Sequence, residues 1–480
     1  MSAPAIIDGE IVELELEVPQ GQVIRYDLTA LVSALGITDP TRISVETDGL
    51  RRALVTVYPS NPLALMPPPS LADMMMDRNG RVVVGRFHNG RPARRRIFDL
   101  STGSAVRALV FGTTGAGKSR IVQYLNAVEK RNGFVTWYAD LKGGQSAPEA
   151  EGQVDWRVTS QEGAILMLRA AVAVAEARQR RYSAAGRNAF LLNDPDPAIT
   201  VRIDEANRLL EKGAPYRDEA TRLVKELGRT GRSVGIGIEL DAQASHLEEL
   251  GGSDTLRAML KEGEVTLLRW SSSMMRHLVA DGLLPTGDQL QPIPKTLAPR
   301  VLRSQFDLDD EDDDEDDAPG TQGTGYLLSS PRPTAMMRHW RIGSIAPTPG
   351  LDPEILALYG PGDPAHLEVT SHGDAGVAYE VRHDPVAFEA LCFAVAAEED
   401  EKAQPVKPIS AGGGGGRLED RIVRVLARAE DAMTADEVLA LVNTDGGKTV
   451  KVGSVRNALV GLADSGDVAR VGRGLYAAAR

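Results

Sequence analysis

The sequence predicts an α/β protein: a mostly parallel sheet with helices on both faces, preceded by a small strand-rich domain and followed by a compact helical module ending in a hairpin. Three observations carry this expectation. Short apolar segments (RALVFG, GFVTWYAD, AITVRIDEA, SVGIGIELDAQ and EVTLLRW) alternate with helical stretches between residues 78 and 343, as buried parallel strands do. The first of them runs straight into the glycine-rich loop GTTGAGKS and then a helical stretch. Residues 417–480 carry helical periodicity and then two short strand-like runs around Gly472-Arg473-Gly474.

Composition sets the outer bounds. With 480 residues, 42% of them hydrophobic, the chain can bury a large core and has room for roughly two to four domains. A single cysteine, Cys392, excludes a disulfide scaffold or thiolate metal cluster and suits a reducing cytoplasm. The seven histidines form no HxH or HxxxH pair, so no His-based metal site is expected. No secretory signal and no run of about 18 apolar residues is visible. Even the most apolar helical stretch, from Ala164, is interrupted by Arg169. No integral membrane segment is therefore expected, which leaves peripheral recruitment to a membrane open. The formal charge of −13 argues at first against a nucleic-acid partner, but Asp307–Asp317 alone holds ten acidic residues. The remainder is nearly balanced, at 54 basic against 57 acidic.

Five segments follow from pattern. Residues 1–64 alternate in period two (EIVELELEV, RRALVTVYP), which predicts a β-rich domain. Residues 65–77 are a proline-led linker whose three adjacent methionines serve local packing. Residues 78–343 form the α/β core, with GTGYLLSS and AMMRHWRIG as closing strands and 307–317 as a solvated acidic insertion. Residues 344–416 read as a weakly patterned, poorly ordered connector ending in a five-glycine tether, Gly412–Gly416. Residues 417–480 are the terminal module.

Gly112, Thr113, Thr114, Gly115, Ala116, Gly117, Lys118 and Ser119 match GxxxxGK[ST] in full, between an apolar strand and a helix. The spacing has a physical reason. Glycines let backbone N–H groups turn inward around phosphates at the positive end of a helix dipole. Lys118 reaches the β- and γ-phosphates of ATP, and the Ser119 hydroxyl ligates Mg²⁺. Ile199–Glu205 is an apolar strand ending in two carboxylates. Asp204 is expected to hold Mg²⁺ through water, and Glu205 to polarise the attacking water. ATP hydrolysis is the base reading.

Four features together resemble the DNA translocases of FtsK/SpoIIIE type, within the wider HerA/FtsK ATPase group. They are the loop GTTGAGKS, Asp140-Leu-Lys142-Gly143-Gly144 after the next strand, the helix EARQRRYSAAG from Glu176, and Gly231-Arg232-Ser-Val-Gly235 followed by a strand ending at Gln243. The resemblance is closest to the soluble plasmid-transfer or phage branch and covers about residues 78–343. It implies a RecA-like domain assembled as a homo-oligomer, a hexameric ring around double-stranded DNA. Arg232 would be an arginine finger in the neighbouring subunit's site, and Gln243 a sensor of the γ-phosphate. Arg269 aligns with a further family arginine of unassigned role. The chain departs from the family at Glu239-Leu-Asp241-Ala-Gln243, where Thr-Gln is usual, and those added carboxylates bear directly on the sensor.

In the terminal module, the helix around Ile422, Val425 and Leu426, a capping box at Thr434–Glu437, a third helix over 452–464 and the final hairpin have the order of a winged helix. In that fold the third helix enters the major groove, with Lys451, Ser454, Arg456 and Asn457 near base edges, and Arg470 and Arg473 on the wing contact phosphate or the minor groove. The module's ten basic and nine acidic residues are equally compatible with protein docking. The leading expectation is thus an ATP-driven translocase of double-stranded DNA in plasmid or phage transfer. The alternatives are a ring ATPase that moves or couples a protein substrate, and an ATP-gated DNA-binding regulator that moves nothing.

Overall fold

A computed structural model describes residues 10–37, 39–243, 251–269, 290, 293, 295, 320–403, 417–429, 431–444, 449–472 and 474–479. The acidic run 307–317, the five-glycine tether and Arg473 lie outside the described residues. The chain divides into two compact units, Met1–Glu401 and Lys402–Arg480.

The first unit opens with β1 (Val12–Glu17), α1 (Leu28–Ala34), β2 (Ile43–Thr47) and β3 (Arg52–Val57), an antiparallel sheet with β3 in the middle. Period-two alternation places Ala53, Val55 and Val57 of β3 on the buried face with Ile43 and Val45. After α2 (Leu71–Met74), capped by Ser70 and Asp73, come β4 (Arg81–Phe87), β5 (Pro92–Arg96), β6 (Phe98–Asp99) and β7 (Ser104–Ala105).

The repeating αβ part then runs β8 (Arg107–Gly112), α3 (Lys118–Arg131), β9 (Val135–Asp140), β10 (Trp156–Val158), α4 (Gln161–Ala184), β11 (Ile199–Asp204), α5 (Asn207–Leu210), α6 (Arg217–Thr230), β12 (Ile236–Ala242), α7 (Asp254–Lys261) and β13 (Glu264–Leu268). Next come β14 (Thr324–Leu327) and β15 (Met337–His339). One ten-stranded sheet results, in the order β10-β9-β11-β12-β8-β13-β14-β15-β4-β5. Pairing is parallel from β10 to β13 and antiparallel beyond. The parallel strands are mostly apolar because both faces are covered, and β8, β9 and β12 are buried at every residue.

A charged cluster sits inside this core. Arg202 of β11 is fully buried and donates to Glu129 of α3 (2.6 and 3.0 Å), to Glu239 of β12 (3.0 Å) and to Asn126. Arg95, from the folded-back hairpin β4–β5, pairs with the same Glu239. Burial would raise the Glu239 carboxyl, but the Arg202 and Arg95 charges hold it below the ordinary range.

Residues 344–416 differ from the expected connector. As far as Ala403 they form α8 (Pro353–Tyr359), α9 (His372–Ala375), α10 (Val377–Glu380) and α11 (Pro385–Ala403). These helices are attached through a few large side chains (Ile355, Tyr359, Leu367, Tyr379 and Val395 are buried) and through buried carboxylates. No apolar stripe runs along them, which is why periodicity gave no signal.

The second unit comprises α12 (Leu418–Arg428), β16 (Met433–Thr434), α13 (Ala435–Thr444), α14 (Val452–Asp464), β17 (Val468–Gly472) and β18 (Leu475–Ala478), with sheet order β16-β18-β17. Ile422, Val438, Val442, Val455 and Leu459 form its centre. Thr434 and Glu437 make the capping box, the Thr434 amide donating to Glu437 (2.7 Å) and the Glu437 amide to Thr434 (3.4 Å). The strand β16 was not legible beforehand, since two residues carry no alternation.

Removing one carboxylate leaves a buried guanidinium short of a partner. Glu129→Ala is expected to lower stability by about 3–5 kcal/mol in urea unfolding monitored by circular dichroism.

Candidate functional site

The site lies at the carboxyl ends of the parallel strands, where β8 passes through the glycine-rich loop into α3. Gly115 and Gly117 have φ of +75° and +103°, conformations that side chains disfavour. A Cβ at Gly117 would also come within 3.0 Å of the Gly323 amide nitrogen. The turn therefore keeps its N–H groups at the start of α3, as a phosphate cradle requires. Lys118 is buried, donates to the Gly112 carbonyl (3.3 Å) and lies 3.7 Å from Glu205. Thr113 donates to the Arg269 carbonyl (3.1 Å), Ala116 is fully buried, and Ser119 is half-buried one position into the helix.

Glu205 adopts φ of 56°, a left-handed conformation rare for a residue with a side chain. Its carboxylate meets both Lys118 and Gln243, whose amide donates to it at 2.9 Å. Thr114 in turn donates to the Gln243 carbonyl oxygen at 3.4 Å. The residues expected from sequence as loop, acid and sensor are thus joined in one hydrogen-bonded array.

Register explains the carboxylates beside them. Asp140, Asp204 and Asp241 are aligned across the adjacent parallel strands β9, β11 and β12. They differ in their surroundings. Asp140 caps its own loop, accepting from the amides of Lys142 (3.1 Å), Ser146 (2.9 Å) and Ala147 (3.3 Å). Asp204 accepts from the Glu205 amide (2.9 Å) and keeps one buried oxygen without a partner among the described residues. Burial chiefly, with the Asp140 charge, pushes it up to about 6. Asp241 is fully buried, and neither of its oxygens has a partner among the described residues. Burial, then the Glu239 and Asp204 charges, raise it well above the ordinary carboxylate range. The two added carboxylates of this strand leave Gln243 in its contact with Glu205: Glu239 is paired with Arg202 and Arg95, and burial disfavours charge on Asp241.

Arg269 is the residue sequence reasoning left without a role. It is buried at φ 32°, and its guanidinium donates to the carbonyls of Gly115 (3.1 Å) and Lys295 (3.0 Å) and to the Thr321 hydroxyl (3.0 Å). No carboxylate bonds it among the described residues. Through the Gly115 carbonyl it braces the phosphate loop and brings a positive charge beside it. Only its place after β13 hinted at this.

Arg232 is elsewhere. It is exposed in the tight turn Gly231–Val234 that precedes β12, whereas Gln243 follows that strand. The seven residues of β12 separate the two by roughly 20 Å. Its surroundings form a groove of about 420 Å³ lined by Arg96, Arg107, Lys261, Glu262 and Glu264. Burial, then the Arg232 charge, lower the ionisation range of Arg107. Lys142 is exposed on the side of Glu205, in an open groove of about 550 Å³ shared with Arg208, Lys212 and Gln243.

In the second unit, Lys451 is exposed immediately before α14, Ser454, Arg456 and Asn457 are exposed on α14, and Arg470 is exposed on β17. They do not form one face. Ser454 and Asn457 line a groove of about 570 Å³ with Leu418, Glu419 and Leu462, whereas Arg456 lies 3.3 Å from Asp436.

For Mg²⁺, Ser119 and Asp204 are the oxygen donors that the two sequence motifs assign. Among the described residues no group of three or more His, Cys, Asp or Glu could hold a metal ion. The ion this site fits is one that takes most ligands from phosphate and water, as Mg²⁺ does. Among the described residues no helix is long and apolar enough to cross a membrane.

No family model matches the chain, and no curated protein matches it. Solved structures do. The conjugation coupling protein TcpA of pCW3, in monomer form with ATPgS, is 17% identical over 69% of this chain and 85% of that one, with a TM-score of 0.43. The cytoplasmic domain of the type VII secretion ATPase EccC from Thermomonospora curvata is 21% identical over 72% of this chain, at 0.43. This chain spans only 35% of that domain. VirB4 of Thermoanaerobacter pseudethanolicus is 11% identical over 56% of this chain and 98% of its own, at 0.31. Scores this low decide nothing about activity, which must be argued from the residues.

Two outcomes are expected. Arg269→Ala should weaken binding of a fluorescent ATP analogue in Mg²⁺ about tenfold, a loss of about 1.4 kcal/mol, while leaving the far-ultraviolet spectrum unchanged. Asp241 must take up a proton when the protein folds above the ordinary carboxylate range, so its cost grows with pH. Asp241→Asn should therefore gain stability relative to the unaltered chain as pH rises from about 6 to about 8, read as the difference between two denaturation midpoints.

Proposed function

We propose that the chain is an ATPase motor that works as a ring of identical subunits, most consistent with a hexamer, and translocates double-stranded DNA. The observation that carries the motor reading is the division of its parts between two edges of the sheet. Gly112–Ser119, Asp204, Glu205 and Gln243 gather at one edge, while the exposed Arg232 stands roughly 20 Å away at the other. From there Arg232 serves only a site on an adjacent subunit, where a guanidinium stabilises charge developing on the γ-phosphoryl group.

In this reading ATP lies against the backbone of Gly112–Gly117, and Lys118 holds its β- and γ-phosphates. Ser119, and Asp204 through water, would hold Mg²⁺, which would supply charge withdrawal from the phosphates. Glu205, positioned by its left-handed backbone and by Gln243, takes the proton of the attacking water. Gln243 exchanges its bond to Glu205 for one to the γ-phosphate, so nucleotide state is transmitted along β12.

DNA as the substrate is supported by the resemblance of residues 78–343 to translocases of FtsK/SpoIIIE type. It is supported also by the second unit, whose element order is that of a winged helix with exposed Lys451, Ser454, Arg456, Asn457 and Arg470; Arg473 would complete the wing. Plasmid or phage DNA transfer is the setting that fits. One observation favours a protein substrate instead: Ser454 and Asn457 line a groove with Leu418 and Leu462, a surface suited to docking a protein.

The test is the steady-state ATPase rate of the full chain with no DNA, single-stranded DNA and duplex DNA, with Lys118→Ala as the blank. A several-fold stimulation by duplex alone is expected, weakening steeply with salt as phosphate contacts are lost. A rate indifferent to DNA overturns the DNA reading in favour of the protein motor. For the trans role, Arg232→Ala mixed with unaltered chains should depress turnover by more than its mole fraction.

A further inference from the structure

Arg178 lies in the middle of α4, is fully buried, and has every described contact at the far edge of the sheet from the phosphate loop. Its guanidinium donates to the Val234 carbonyl (2.9 Å), to the Pro197 carbonyl (3.0 Å) and to both oxygens of Glu368 (2.9 and 2.6 Å). Val234 is the last residue of the turn that exposes Arg232 and Ser233. Pro197 leads into β11, the strand that ends at Asp204 and Glu205. One side chain thus fixes both the turn that carries Arg232 and the start of the acid-bearing strand.

The same turn is seated by packing. Gly235, which ends it, has φ of +76°, and a Cβ there would strike the Phe190 ring at 2.4 Å. The Phe190 ring in turn lies under the Arg178 guanidinium, 5.7 Å from its centroid. Arg178 therefore holds the turn from one side and the aromatic floor beneath it from the other.

Glu368 belongs to the segment after the sheet, and that segment is itself stapled to the core. Asp155, fully buried, accepts from Trp137 (2.9 Å) and Tyr379 (2.9 Å), and Arg382 donates to it at 3.1 Å. His366 contacts the same carboxylate at 2.8 Å. Glu368 also accepts from Arg181 (3.1 Å) and from Ser371. Burial would raise the Glu368 carboxyl, but the bonds and charge of Arg178 hold it below its ordinary range.

We infer that Glu368 and Arg178 are positioning residues for Arg232: the segment that follows the sheet braces the arginine-bearing turn and sets how readily it engages a neighbouring subunit. The inference rests on the trans role of Arg232 proposed above. A bidentate carboxylate–guanidinium pair fixes direction as well as distance. Without Glu368, Arg178 is left as a buried cation free to swing away from the Val234 carbonyl. The turn then samples orientations in which Arg232 misses its target, and misplacement of about 1 Å can cost on the order of a hundredfold in rate.

The experiment compares Glu368→Gln, Arg178→Lys and Arg181→Gln in the full chain, alone and combined with Arg232→Ala, at a temperature well below every melting midpoint. Expected for Glu368→Gln and Arg178→Lys is a fall in kcat of about tenfold or more, with the affinity for a fluorescent ATP analogue within about twofold. Arg181→Gln, which removes a neighbour of Glu368 that does not touch Val234, is expected to keep full kcat. In the Arg232→Ala background, Glu368→Gln should lower the melting midpoint as before and lower kcat no further. Three results overturn the brace: full turnover in Glu368→Gln, an equal loss in Arg181→Gln, or losses that add to Arg232→Ala. An Arg232→Ala chain that keeps full turnover overturns the trans role itself and the brace with it. An inactive Arg232→Ala chain beside a fully active Glu368→Gln chain overturns the brace alone.

Discussion

A fully buried guanidinium holds this core together. Arg202 sits in the middle of β11 and bonds to α3, the helix that leaves the phosphate loop, and to β12, the strand that ends at Gln243. Through Glu239 it also reaches Arg95 and the folded-back hairpin β4–β5. An ion buried this deeply is costly unless every neighbour is in place. The loop, the acid and the sensor are therefore locked in relative position by one charge that touches none of the phosphate-facing groups. Glu239, an anomaly when read along the chain, is part of that lock.

Parallel pairing supplies the second constraint. Because β9, β11 and β12 run the same way in register, Asp140, Asp204 and Asp241 arrive side by side, and three ionised carboxylates cannot share a buried edge. The protein separates them by environment: backbone amides satisfy Asp140, Asp204 keeps an oxygen unpartnered among the described residues beside the loop, and burial raises Asp241 well above the ordinary carboxylate range. The same topology sends every strand start to the opposite edge. Arg232 and its brace occupy that edge together with the segment carrying Glu368. In the proposed motor, hydrolysis and subunit contact are divided between the two edges.

Much of this was legible in the sequence. The strands RALVFG, GFVTWYAD, AITVRIDEA, SVGIGIELDAQ and EVTLLRW all stand in the parallel part of the sheet, because strands covered on both faces are mostly apolar and that composition is visible without coordinates. The loop Gly112–Ser119 was legible because glycine spacing, lysine and hydroxyl are a local requirement of holding phosphate. Residues 344–403 were not, since isolated aromatic anchors and buried carboxylates leave no period. Nor was the split of the α14 candidates, since which side of an exposed helix meets α12 depends on how the three helices close around Val455 and Leu459.

Taken alone, the sequence determined what depends on neighbours along the chain: the alternation of strand and helix, the phosphate loop, the acid pair and the capping box at Thr434. Tertiary structure decided what depends on residues far apart in sequence. Arg202 could be buried only because Glu129 and Glu239 meet it from another helix and another strand. Burial first, then the Glu239 and Asp204 charges, raises the Asp241 carboxyl, and only the fold supplies that burial. Arg178 could reach the arginine-bearing turn only because Glu368 returns to it 190 residues later. Charge and hydrogen bonding act through space, and their partners are therefore set by the fold and not by spacing along the chain.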